Sequence, residues 1–151
     1  MALLDKQLEA GIHGDFEKGW LIAQQLEKET PNCQRAAFNR GWYYLRQGKL
    51  LEGHKLLDQG RFEDVFGNRH IGSSQPIWNG EGGTVLLNLE GGLGDQIKSY
   101  RFAFDLQKRG NRVVISCSPE LASMFAEKFA VVEHDAACGT YHDYWLPSMS
   151  A

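Results

Sequence analysis

Residues 84–118 constrain this chain more than any other stretch. TVLLNLE (84–90) is an apolar run of strand length. GGLGD (91–95) follows, then an amphipathic stretch, QIKSYRFAFDLQKRG (96–110), and a second strand-like run, RVVISCS (112–118). Lys108 and Arg109 before Gly110 suit the negative end of a helix and a left-handed cap. Pro119 opens a further helix, PELASMFAEKF, because a missing N–H costs nothing in a first turn. AVVEHD (130–135) reads as a third strand and YHDYWLP (141–147) as a fourth. Strands alternating with helices through short links predict a parallel sheet with helices on its faces. The expected fold class is α/β, with a small Rossmann-like sheet of three or four parallel strands over 84–151.

Residues 1–61 read differently. They show no strand-like alternation and one proline, and apolar residues recur three and four apart, as in Phe16, Trp20, Ala23 and Leu26. Helices are expected at about 3–13, 15–29, 34–47 and 49–60. The pattern also repeats: Gly14-x4-Gly19 returns as Gly48-x4-Gly53, an offset of 34, and Pro31 ends the first unit. Gly14 and Gly48 fall where each hairpin turns; Gly19 and Gly53 fall where two helices approach closely. A 34-residue helix-turn-helix period resembles that of tetratricopeptide repeats. Gly41 and Tyr44 stand at that family's small and aromatic positions, while Gly53 and Gly60 stand where alanine is usual. The hairpins serve either as a packed scaffold or as the receptor for a protein or peptide partner. Residues 62–83 hold five glycines and no periodicity, so they are expected to form a connector.

Charge and cysteine content narrow the functions. Sixteen Lys and Arg against 19 Asp and Glu give a net charge of -3, which argues against nucleic-acid binding through bulk charge. No run approaches the roughly 20 apolar residues that cross a bilayer, so no membrane association is expected. Asp5, Lys6 and Glu9 interrupt any secretory core. Cys33, Cys117 and Cys138 are widely spaced and form no disulfide framework, which points to a cytoplasmic, reducing setting. Cys117 reads as a small buried hydrophobe.

Ligands of open parallel sheets bind beyond the carboxyl ends of the strands. The first strand ends in Gly91, Gly92, Leu93, Gly94 and Asp95. Either the glycines let the backbone come close to a sugar or phosphate group, or they make a tight turn with Asp95 as a cap or first-turn acid. Gly92-x-Gly94-x-x-Ile97 lacks the third glycine of a dinucleotide site, and Ser116-Cys117-Ser118 supplies no acid for a ribose. No Gly-Lys-Ser/Thr occurs, and no cofactor is expected. His134, Asp135, Cys138, His142 and Asp143 match no recurrent metal spacing, so no metal is expected either. Trp78 is expected to anchor the connector in the cleft between the two halves.

Gln75-Pro76-Ile77-Trp78-Asn79-Gly80-Glu81, then a strand, then Gly92-Leu93-Gly94-Asp95-Gln96 and Arg101, resembles one arrangement closely. It is similar to tetratricopeptide-repeat proteins whose C-terminal part is a heptosyltransferase-like glycosyltransferase. Asp143-Tyr144 with Leu146-Pro147 is similar to that family's segment near its fourth strand, and the likeness spans roughly 37–147. The resemblance implies the N-terminal, acceptor-side lobe of a two-lobed GT-B fold. It implies Asp95 as general base and Gly91, Gly92, Gly94, Gln96 and Arg101 as the ligand-binding set. Positioning rather than basicity would supply most of the effect of a carboxylate at a helix start. The family's donor nucleotide binds mostly in a second lobe, so these 151 residues are expected to be inactive alone.

Overall fold

The computed structural model describes residues 2–62 and 71–151, the side chains of 61 and 62 excepted. The chain divides into two compact units, Met1–Val65 and Phe66–Ala151. Positions 63–70 of the expected connector lie outside the described residues.

The first unit holds α1 (Leu3–Ile12), α2 (Phe16–Glu29), α3 (Gln34–Arg46) and α4 (Leu50–Leu57), followed by a 3₁₀ turn at Asp58–Phe62. Its two hairpins close identically. Gly14 and Gly48 both sit at φ +76, where an L side chain is strained. The Asp15 N–H donates to the Ala10 carbonyl at 2.9 Å, and the Lys49 N–H to the Tyr44 carbonyl at 3.0 Å. Each bond caps carbonyls that the preceding helix leaves open. Gly19 leaves room for the Tyr43 ring, and Gly41 lies against Gly53 where α3 crosses α4. Phe38, Leu57 and Leu45 fill the space beside that crossing.

The second unit is α/β. Its four strands are β1 (Thr84–Asn88), β2 (Arg112–Cys117), β3 (Ala130–Glu133) and β4 (Tyr144–Pro147), all parallel, in the order β3-β2-β1-β4. All five residues of β1 are buried, as a central parallel strand requires. Val85, Leu87, Val113, Ile115 and Cys117 face the helices, α5 (Leu93–Ser99), α6 (Arg101–Lys108) and α7 (Pro119–Phe125). Each large aliphatic side chain so buried contributes roughly 1.5–3 kcal/mol. Burial also pushes the Cys117 thiol up to about 11, and the Glu133 carboxylate adds to the shift. Leu86, Val114 and Trp145 face the other way, packed with Ala137, Val132 and Ile71.

The described end of the connector pairs with this sheet. Ile77 bridges Trp145 in parallel, the Trp145 N–H donates to Pro76 at 3.1 Å, and the Trp78 N–H donates to Trp145 at 2.9 Å. The segment thereby covers the open edge of β4, a row of backbone groups that would otherwise invite pairing. Trp78 packs on the helix-side core of this same unit, and its Nε1 donates to the Glu81 carbonyl at 2.7 Å. Its anchor among the described residues is thus the core of the sheet unit.

Three helices differ from the sequence reading. The one expected over 49–60 gives way after Leu57 to the 3₁₀ turn at Asp58–Phe62. The stretch expected as one helix over 96–110 begins at Leu93 and is broken at Tyr100. The Ala103 N–H reaches only three residues back, to the Tyr100 carbonyl at 3.0 Å, so the turn tightens there. Helix α7 stops at Phe125 rather than 129, because the Lys128 N–H likewise turns back three residues to the Phe125 carbonyl. Among the described residues, no helix is long and apolar enough to cross a membrane.

Candidate functional site

The parallel register sets the strand ends at one level. Asn88 lies beside Ser116, and Cys117 lies beside Glu133. Beyond these ends opens a cleft of about 560 Å³, bordered by Asn88, Gly91, Gln96, Ser118, Glu133, His134 and Asp135. This is where the strand direction of an open α/β sheet directs a ligand. Its volume falls in the range of small-molecule sites.

Gln96 is the structural pin of the cleft. It is buried, and its Nε2 donates to the Gly91 carbonyl at 3.1 Å and to Ser118 Oγ at 2.8 Å. Its Oε1 accepts the Ser118 N–H at 2.9 Å. One side chain therefore ties the turn after β1 to the turn after β2, and both amide hydrogens are used within the protein. Glu90 does the same between β1 and β4. It is buried, its N–H donates to Ser148 Oγ at 2.9 Å, and its Oε2 accepts the Met149 N–H at 3.0 Å.

Asp95 is exposed at the third position of α5. Its Oδ2 accepts the Gly92 N–H at 3.2 Å, while Oδ1 makes no hydrogen bond among the described residues. Gly91 sits at φ +79, and a Cβ there would come within 2.8 Å of Asp95 Oδ2. The glycine is thus required twice, for its backbone and for its closeness to the carboxylate. Gly92 and Gly94 are exposed and leave the turn open. Arg101 is exposed too, with its guanidinium 5.0 Å over the Phe102 ring; it forms no ion pair with Asp95 among the described residues. Of the ligand-binding set that the resemblance implies, Gly91 and Gln96 line the cleft, and Gly92, Gly94 and Arg101 do not. Asp95 does not line it; its Oδ2 lies close to where a side chain on Gly91 would start.

The sequence offers His134 only as a candidate metal ligand. Its Nδ1 lies 2.8 Å from Ser116 Oγ. Burial holds its imidazole below the usual 6.5, against the opposing pull of Asp135, so the ring is neutral near pH 7. Among the described residues, no group of three or more His, Cys, Asp or Glu side chains is placed to hold a metal ion. The second histidine of that set, His142, is a tie instead: its ring nitrogens lie 2.6 Å from the Thr140 carbonyl oxygen and 2.7 Å from Ser73 Oγ.

Asn88, Ser118 and Glu133 escaped the sequence reading. A signal existed for each. Asn88 is the polar end of an apolar strand, and the other two close β2 and β3, where the carboxyl-end rule applies. Comparison with known proteins finds no matching family model, curated protein or solved structure.

Proposed function

We propose that the sheet unit is the acceptor-side lobe of a heptosyltransferase-like glycosyltransferase, with Asp95 as the base. An acceptor hydroxyl in the cleft attacks the anomeric carbon of a nucleotide sugar. The bond to the nucleotide leaving group breaks, and the hydroxyl proton passes to Asp95 Oδ1. One observation carries the reading: the Asp95 carboxylate, with Oδ1 uncommitted, lies beside the turn whose Gly91 lines a cleft at the strands' carboxyl ends. No residue described here is assigned to the donor nucleotide. In the polypeptide that carries a donor-binding lobe, Asp95→Asn is expected to lower transfer about 100-fold, the lower range for general-base removal. The variant keeps an oxygen to accept the Gly92 N–H, so folding is retained. A wild-type transfer rate in Asp95→Asn reduces the residue to a helix cap.

A second reading concerns the first unit, as a module that binds an extended, apolar peptide with a carboxylate. Gln7, Leu8, Ile12, Phe16, Trp42 and Arg46 border a groove of about 220 Å³. Gln7 is 1% exposed; its Oε1 accepts from Asn39 Nδ2 at 3.2 Å, and its buried Nε2 has no partner among the described residues. A buried donor without an acceptor is costly, and a peptide carbonyl would satisfy it. Trp42 and Ile12 are 41% and 73% exposed beside it, and Arg46 supplies a cation. Peptides selected from a displayed library against the full chain are expected to bind about tenfold more weakly to Trp42→Ala, as for an aromatic anchor. Failure to enrich any peptide that depends on Trp42 rejects the module.

A further inference from the structure

The cleft has a chemical preference that its fold alone does not imply. Asn88 is 3% exposed and lines it, yet Asn88 Oδ1 has no hydrogen-bond partner among the described residues. Leaving a buried carbonyl oxygen unpaired costs more than a hydrogen bond gains, so the atom calls for a donor from outside the protein. The rest of the lining agrees. Glu133 and Asp135 bring carboxylates, His134 is a neutral imidazole, Ser118 brings a hydroxyl, and among the described residues no Lys or Arg lines the cleft. Phosphate would face two carboxylates and, among the described residues, no cation, and like charges disfavour one another even when solvent screens them in part. Gln96, whose amide hydrogens are already committed, has no donor to offer an anion.

We infer that the cleft selects a neutral, hydroxyl-rich ligand, an unphosphorylated sugar unit or similar polyol, with Asn88 Oδ1 as the acceptor that orients one of its hydroxyls. Glu133 and Asp135, both exposed at the rim, take further hydroxyls and turn away phosphorylated ones. This names the acceptor class for the transferase reading and rests on it. Asn88 becomes a specificity residue, because a site built around an unpaired polar atom rejects ligands that cannot pair it.

The test needs no donor and no turnover. The full chain is titrated, with amide chemical shifts as the readout, against methyl glycosides of glucose, galactose, mannose and N-acetylglucosamine and against the 6-phosphates of the first three. At least one neutral glycoside is expected to move the amides of Asn88, Ser118 and Asp135 and to bind more tightly than its phosphate. Asn88→Leu is expected to weaken that binding about tenfold with the melting temperature held, since losing an unpaired acceptor removes a buried penalty. Glu133→Gln with Asp135→Asn, two exposed changes that leave folding alone, is expected to narrow the gap between neutral and phosphorylated sugars. Tighter binding of the phosphates to the wild type, or Asn88→Leu binding unchanged, overturns the inference and leaves the acceptor reading standing. If no sugar of either set moves these amides at millimolar concentration, both fall together.

Discussion

Phe125→Ala is expected to destabilise the sheet unit by about 3–5 kcal/mol, a large share of the stability of any domain this size. Phe125 is fully buried, and its ring stacks on Tyr100 with centroids 4.4 Å apart at 19°. Tyr100 also meets Phe104 at 5.2 Å and Phe129 at 5.8 Å, both edge-on, and Phe104 meets Phe129 at 5.0 Å. These rings join α6 to α7 and to the turn behind it. Helix α7 has seven residues, too few to persist on its own hydrogen bonds, so packing must hold it. Truncation removes the transfer energy of the ring and leaves a cavity that β2 and β1 cannot close. Urea unfolding followed by near-UV circular dichroism measures the loss. Phe125→Leu, which keeps most of the volume, is expected to cost less than about 1.5 kcal/mol. A loss below about 1 kcal/mol in Phe125→Ala contradicts the packing described for these rings.

Gly41→Leu is expected to cost the helical unit about 3 kcal/mol, the upper end for overpacking, and to lower its melting temperature by roughly 12–24 °C. A Cβ on Gly41 would stand 2.8 Å from the Gly53 carbonyl oxygen and 3.1 Å from Leu57 Cδ2. From the other side, a Cβ on Gly53 would stand 2.6 Å from Leu45 Cδ2. The two glycines form one crossing, and the nearest obstacle to a side chain on Gly41 is backbone, which cannot rotate aside. Helix propensity works the other way by about 1 kcal/mol, since leucine favours a helix over glycine. Steric cost wins because separating α3 from α4 also opens the contact between Phe38 and Leu57. Thermal melts by far-UV circular dichroism decide it; an unchanged or raised midpoint means the helices are not in contact there.

Much of this architecture was legible in the residues. Gly14 and Gly48 marked both hairpin turns because only glycine holds a positive φ without strain, and the 34-residue offset made the two turns one device. Continuous apolar runs at 84–90 and 112–118 marked parallel strands because such strands have no solvent face. What the reading missed follows from local ambiguity. The start of α5 is expected at 96, yet Leu93 and Gly94 already lie in its first turn with Asp95, the first-turn acid of one of the two sequence readings, folded back on the Gly92 cap. Leu93 and Ile97 are apolar yet 45% and 51% exposed, so their spacing did not report a buried face. The segment Pro76–Trp78 has no strand periodicity, because a single bridge to Trp145 is all the pairing it makes.

The residues by themselves determined the helical hairpins, the strand segments and the glycine turn with its carboxylate, since each is written in a local pattern of a few positions. Only tertiary structure decided which polar atoms share the cleft. Asn88, Ser118 and His134 are distant in the chain and become neighbours because the strand order β3-β2-β1-β4 brings three strand ends to one level. That Asn88 Oδ1 lacks a partner while Gln96 has three is likewise a property of packing, because it depends on what every surrounding chain segment already satisfies.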